Sequence, residues 1–280
     1  MVTGQKFTVT TNNQNDSNKK LSIQVSLDGL SFCILNQDSK KICYLKKFEF
    51  EKQLDPIKVL SRIESIYEQE EELRQPVDEV ILLFSNSLFT LVPEELFDEE
   101  NAAGYLKFNT RILKTDFIAS DKLDQGIVNV YIPYTNIINY FFDKYGEFEY
   151  RHGLSVLIDS LLNHKVENEE SPRLYVHVQK NSYELLIIEN GKLTFANSFE
   201  YETREDFLYY LLFTAEQLNL DPRKFELILL GDIKKDSEEY NMCWDYIKNI
   251  SFLGPFHPFI FEAQAQPKEE LSDYLLIKSL

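Results

Sequence analysis

The sequence predicts an α/β protein with mixed sheets, built as a tandem duplication of one β-β-β-α-β unit. Three observations carry that expectation. Residues 174–201, LYVHVQKNSYELLIIENGKLTFANSFEY, read as three strands joined by two tight turns, and residues 21–50 repeat the layout at an offset of 174 − 21 = 153 residues. In each half an amphipathic helix and then a nearly continuous apolar run follow the three strands: DEVILLFS at 78–85 and FELILL at 225–230. Such runs suit strands covered on both faces of a parallel or mixed sheet. The chain is 280 residues long and 44% hydrophobic, with 21 Phe and 16 Tyr, so it can bury cores of ordinary size in two domains.

Residues 1–20 are polar and Asn-rich, and read as a flexible arm or an edge strand through Phe7, Val9 and Thr11. Leu21, Ile23, Val25 and Leu27 alternate with period two, the mark of a strand with one buried face. Asp28-Gly29 signals a hairpin because Gly tolerates positive φ. Leu30, Phe32 and Ile34 continue on a second strand, and residues 42–50 give a third. Asp55 caps a helix with Pro56 at its first position. Val59, Leu60, Ile63, Ile66 and Tyr67 form its apolar stripe. A short strand is expected over 87–92, a helix from Pro93, another over 102–108, strands over 116–119 and 126–132 around a turn at 121–125, and a helix capped by Thr135 with Ile137, Ile138, Phe141 and Phe142 inward. A strand at 147–151 and a helix at 153–164 complete the first domain, 21–165. The charged stretch Lys165–Pro172 reads as a linker.

The second domain, 172–280, starts over. Strands at 174–178, 183–188 and 193–201 turn at 180–182 and at Asn190-Gly191. Thr203 and Asp206 form a capping-box-like pair before a helix with Phe207, Leu208, Leu211, Leu212, Ala215 and Leu218 inward. Asp221-Pro222 turns into the strand at 225–230. A helix is expected over 238–250 with Trp244 and Ile247 inward, then two apolar segments broken by Pro255 and Pro258, and a terminal helix over 271–280.

The formal charge of −17 and pI near 4.7 oppose binding to nucleic-acid phosphates or anionic membranes. The lysines at 40, 41, 46 and 47 are offset by Glu49 and Glu51. Cys33, Cys43 and Cys243 are too few and too scattered for a disulfide framework or a metal site, and His152, His164, His177 and His257 have no metal spacing. No secretion signal stands at the start, and no run reaches the ~20 apolar residues of a membrane span. A cytoplasmic protein without membrane insertion is expected.

Three antiparallel strands, a crossover helix and a parallel fourth strand resemble a ribonuclease H-like domain, and two in tandem resemble the actin-like ATPase architecture. Residues 89–109, FTLVPEELFDEENAAGYLKFN, resemble the signature of a bacterial family of unknown function with that fold. The resemblance implies nucleotide motifs. Active members end the first strand with an Asp that organises the metal and, two residues on, a Gly that lets backbone amides approach phosphate. Gln24 and Ser26 stand there in the first half. In the second half Val176 is followed by His177, Val178, Gln179, Lys180 and Asn181, without acid or glycine. The adenosine motif, which ends a buried strand with two glycines, has one, Gly231, followed by Asp232.

The expected function follows from those departures: a degenerate actin-like ATPase without hydrolytic activity, acting as a protein-interaction scaffold for a partner protein, with no cofactor, no metal and no catalytic residue. The alternative is a nucleotide- or small-ligand-binding sensor or kinase-like enzyme using the interdomain cleft, with Ser26, His177, Gln179 and Gly231 as the candidate cleft residues.

Overall fold

The computed structural model describes residues 18–164 and 171–280. The expected arm strand through Phe7, Val9 and Thr11, and residues 165–170 of the expected linker, lie outside the described residues. The chain forms two compact units. Of the described residues, the first takes in those up to 157 with 258–266 and 275–280, and the second takes in those of 158–257 with 267–274.

The first unit opens with β1 (Lys19–Val25), β2 (Gly29–Asn36) and β3 (Lys41–Glu49), an antiparallel meander. Its alternation puts Leu21, Ile23, Val25, Leu30, Phe32 and Ile34 in the core. Helix α1 (Pro56–Gln69) starts where the Asp55 carboxylate accepts from the Lys58 amide, satisfying one of the free N–H groups of the first turn. It buries Val59, Ile63, Ile66 and Tyr67, and the Tyr67 ring meets Phe32 edge-on at 5.8 Å. The chain then returns as β4 (Glu79–Phe84), parallel to β1. Strand β5 (Phe89–Pro93), helix α2 (Ala102–Leu106), β6 (Ala119–Leu123) and β7 (Ile127–Tyr131) follow. The three strands make a separate antiparallel sheet in the order β5-β7-β6, with its own core of Val92, Leu106, Val128, Val130 and Ile132. Helix α3 (Thr135–Tyr145) buries Ile137 and Phe141. Strand β8 (Glu149–His152) lies parallel to β4, and α4 (Gly153–Leu162) runs directly on from it.

The second unit repeats the plan with β9 (Arg173–Val178), β10 (Ser182–Glu189), β11 (Lys192–Glu200), α5 (Arg204–Gln217), β12 (Glu226–Gly231), α6 (Glu238–Tyr246) and β13 (Asn249–Phe252). The sheet order is β11-β10-β9-β12-β13, matching β3-β2-β1-β4-β8 in the first unit. Thr203 and Asp206 close a full capping box on α5. One face of the sheet carries Leu174, Val176, Val178, Tyr183, Leu185 and Ile187 into a core with Phe207 and Leu211 of α5. Strand β14 (Ile260–Phe261) belongs to the first unit and adds in parallel to β3, and α7 (Tyr274–Lys278) is the final helix.

Several expectations are corrected. Gly29 has no positive φ; the turn closes through the Ser26 amide and the Gly29 carbonyl. The hairpin expected to turn at 121–125 is shifted: its left-handed pair is Gln125-Gly126 (φ 71° and 72°), which makes Asp121 a strand residue. Pro93 opens only a 3₁₀ turn, Glu94–Leu96. Thr135 does not cap α3, whose N-cap is Tyr134 without a side-chain bond, and Phe142 faces out. Helix α6 stops at Tyr246 because the next residues extend as β13 beside β12, and Trp244 is 59% exposed. The C-terminal helix is only the short α7. Leu218, expected inward on α5, is likewise exposed, so helical spacing overstated the buried faces of three helices, while pairing of β13 with β12 set the end of α6.

Candidate functional site

Most positions singled out by the sequence lie at the end of the first strand of each sheet or in the turn after it, and Gly231 ends the fourth strand of the second sheet. In the first unit, Gln24 sits on the face of β1 opposite the α1 core, and its amide donates to Ser85 Oγ at 3.1 Å. Ser85 continues β4, its N–H donating to the Val25 carbonyl. Ser26 closes the turn three ways. Its N–H donates to the Gly29 carbonyl at 3.0 Å, and its hydroxyl contacts Asp28 Oδ1 at 2.5 Å and the Gly29 carbonyl at 3.0 Å. The Ser26 amide and hydroxyl are therefore both bonded within the turn.

In the second unit, His177 on β9 lies directly across from Glu184 on β10, and both are buried at 3% and 7% exposure. His177 Nδ1 and Glu184 Oε2 are 2.8 Å apart. A carboxylate only accepts, so Nδ1 carries the proton of this bond. The other oxygen, Oε1, accepts from the Gln179 amide at 2.7 Å. The Gln179 N–H donates to the Ser182 carbonyl at 2.8 Å, and the Gln179 carbonyl accepts from the Tyr201 hydroxyl at 3.1 Å. Tyr274 tilts against the His177 ring at 6.3 Å between centroids and bonds through its hydroxyl to Ser160 Oγ at 3.0 Å. Burial pushes the Tyr274 phenol up to about 12. Thus His177, Gln179 and Glu184 form one closed hydrogen-bonded cluster.

Gly231 ends β12 with φ 87°. A Cβ there would collide with the Val178 carbonyl oxygen and lie 2.9 Å from the Val178 nitrogen. Backbone crowding against β9 accounts for glycine at this position. Asp232 continues the ladder with its N–H on the Val178 carbonyl at 2.8 Å. The structure brings His177 and Gln179 together, sets Gly231 on the neighbouring strand, and places Ser26 in the turn of the other unit.

Sequence reasoning missed Glu184 and a second buried polar cluster. Glu184 had a signal: it is the one charged residue inside the apolar run YELLII, at the strand register that faces His177. The second cluster surrounds Asp121, whose carboxylate accepts from the Tyr131 hydroxyl at 3.1 Å and the His152 amide at 2.9 Å. Burial raises this carboxyl above the ordinary range. The Leu154 amide donates to His152 Nδ1, so Nε2 carries the proton and donates to the Asn86 carbonyl at 3.1 Å. His152 thereby acts as the side-chain cap of α4. Asn129 donates to Ser155 Oγ at 2.9 Å, and its carbonyl oxygen is buried without a partner. The Asp121 signal was hidden because that residue was placed in a turn.

A polar groove of about 720 Å³ opens in the first unit, lined among others by Lys20, Arg74, Asp78, Lys144 and Glu149. It adjoins the starts of β1 and β4, away from the hairpin turn. No group of three or more His, Cys, Asp or Glu able to hold a metal occurs among the described residues. No helix among them is long and apolar enough to cross a membrane.

Similarity to known proteins agrees with this architecture. A protein with actin-like ATPase fold and unknown function from Bacteroides thetaiotaomicron superposes with a TM-score of 0.73 at 24% identity, over 87% of this chain and 95% of that one. The PilM–PilN type IV pilus biogenesis complex gives a TM-score of 0.56 at 11% identity, over 92% of this chain and 96% of the matched one. No curated protein matches. These likenesses establish the fold expected from the duplicated β-β-β-α-β units. With a family model that matches residues 8–250, the chain belongs to the family described as protein of unknown function, DUF3822.

Proposed function

We propose that this chain is a protein-binding scaffold on an actin-like ATPase fold, one that does not hydrolyse nucleotide and works in the cytoplasm. The observation that carries the reading is the closure of both hairpin turns on themselves. Nucleotide hydrolysis on this fold would need backbone amides open to phosphate and an acidic residue to organise a metal. At the first turn the Ser26 amide and hydroxyl are bonded within the turn. At the second, the Gln179 amide is bonded to Ser182, and the Glu184 carboxylate is committed to His177 and Gln179. The matched PilM–PilN chain comes from a pilus biogenesis complex, which lends support to a protein-binding use of such a fold.

Calorimetric titration and thermal-shift measurement with ATP and ADP, each with Mg²⁺, test the reading. The expected result is no binding heat and an unchanged melting temperature. A ligand present at 100 times its Kd would stabilise the fold by about 2.7 kcal/mol, which is several degrees. A shift of that size overturns the scaffold reading in favour of a nucleotide-binding sensor.

A further inference from the structure

The outer strands of the two sheets are built alike and covered differently. Strands β3 and β11 each pair antiparallel with the second strand of their sheet, across a shorter turn in the second unit, and each ladder slips at one place: between Ile34 and Leu35 in the first unit, and between Ile187 and Ile188 in the second. The offset is again 187 − 34 = 153, so the bulge belongs to the repeat. On β3, just beyond the bulge, β14 is seated in parallel. The Ile260 N–H donates to the Lys40 carbonyl at 3.1 Å, and the Glu262 N–H donates to the Ile42 carbonyl at 3.0 Å. The 3₁₀ turn Ala263–Ala265 follows, with Ala265 fully buried. By register, the seat of β14 corresponds to Lys192 and Leu193 of β11. Among the described residues, β11 pairs with β10 alone.

We propose that β11 is a docking edge for an extended, basic segment of a partner protein, which adds to the sheet in parallel as β14 adds to β3; this rests on the scaffold reading and gives its partner a place and a chemistry. The orientation of the edge follows from strand geometry. The Tyr201 N–H donates inward to Asn181, so with period two the backbone groups of Phe199 and Asn197 face β10, and those of Glu200, Ser198 and Ala196 face away. An outward row of donors and acceptors is a template for another strand.

Charge and aromatic surface give the partner's chemistry. Across residues 192–217 the acids are Glu200, Glu202, Glu205, Asp206 and Glu216 against Lys192 and Arg204, a net of 2 − 5 = −3. Arg204 is itself held by Glu205 and Glu238. From the edge strand an aromatic ladder climbs α5: Phe199 stacks on Tyr210 at 5.5 Å, Tyr210 meets Tyr209 at 5.4 Å, and Tyr209 stacks on Phe213 at 5.7 Å. Tyr209 and Phe213 are 59% and 47% exposed. Exposed rings ringed by carboxylates receive Lys and Arg side chains through cation–π contact and charge attraction. A second copy of this chain, with its charge of −17, would be repelled from the same edge.

The probe is a fluorescein-labelled heptapeptide of alternating Lys and Val, titrated by fluorescence anisotropy with amide hydrogen exchange alongside. Binding is expected, with slowed exchange at Ala196, Ser198 and Glu200 and no effect on β3; the matching Glu-Val peptide should not bind. Ser198→Pro deletes only an outward N–H and leaves the β10 ladder intact, so it should weaken binding about tenfold or more. Tyr209→Ala combined with Phe213→Ala changes exposed side chains only, retains the fold, and should weaken binding similarly. Absence of peptide binding, unchanged affinity in both variants, or protection of the three amides by self-association without peptide would each overturn the docking edge. Protection at another surface overturns the edge and leaves the scaffold reading standing, because only the nucleotide titration decides that reading.

Discussion

The two hairpins at Leu21 and Leu174 keep the same backbone and differ in what fills it. Both turns close by the same bond, Ser26 N–H to Gly29 and Gln179 N–H to Ser182. Both first strands lie parallel to the fourth, and both fourth strands continue with one more bond, Ser85 to Val25 and Asp232 to Val178. On the face opposite α1 and α5, however, the first hairpin carries Ser22 and Gln24, bonded to Ser279 and Ser85. The second carries Tyr175 and the His177–Glu184 pair. Main-chain hydrogen bonds are fixed by the sheet whatever the side chain, so the register tolerates a neutral amide in one copy and a buried ionisable pair in the other. The chemistry at these turns is therefore a property of each copy, while the scaffold is a property of the repeat.

The largest test of this contrast is at the end of the fourth strand, where Phe84 opposite Val25 corresponds to Gly231 opposite Val178. Gly231→Ala combines a positive φ with a clash against backbone that cannot move away, and should destabilise the second unit by about 3 kcal/mol or more. Urea unfolding followed by Trp244 fluorescence measures it. A loss under about 1 kcal/mol would mean that β9 and β12 do not approach as described.

The next effect concerns the buried pair. Glu184→Leu strands His177 and the Gln179 amide and should cost about 2–3 kcal/mol, whereas Gln24→Leu, the same register position as His177, loses one bond and should cost about 1. Adding His177→Leu to Glu184→Leu should recover part of the loss, giving a coupling of about 1–2 kcal/mol in a double-mutant cycle. Additive losses would show that the two side chains do not act as a pair.

The smallest change is at the turn itself. Ser26→Ala removes the hydroxyl bonds to Asp28 and Gly29 but keeps the backbone closure, so it should cost about 0.5–1 kcal/mol. If Ser26→Ala also enabled ATP binding in the thermal-shift assay, the hydroxyl rather than the backbone closure would be what shuts the turn.

Much of the fold was legible because its signals are local. Period-two alternation marked β1 and β2, the repeat of their layout marked β9 and β10, and the Asp55 and Thr203 caps marked where α1 and α5 begin. Asn190-Gly191 marked its turn, with both residues at positive φ. The misses share one cause. The helix over 238–250 was read too long because Asn249–Phe252 pair with β12, and Trp244, read as core from helical spacing, lies on the exposed face of α6. Asp121 read as a turn residue, and the partners that fill its acceptors, Tyr131 and His152, lie 10 and 31 residues away. Glu184 was passed over because its role depends on which residue lies across the strand.

By itself the sequence determined the duplicated β-β-β-α-β plan, since periodicity, caps and turn residues act over a few neighbours and repeat at the offset of 174 − 21 = 153. Only the tertiary structure decided that His177, Glu184 and Gln179 form a closed cluster, that Gly231 answers to the Val178 backbone, and that β3 carries an added strand where β11 carries none among the described residues. Those facts depend on strand pairing between distant segments, and a hydrogen bond or a steric clash leaves no trace in the sequence until pairing sets its partner in place.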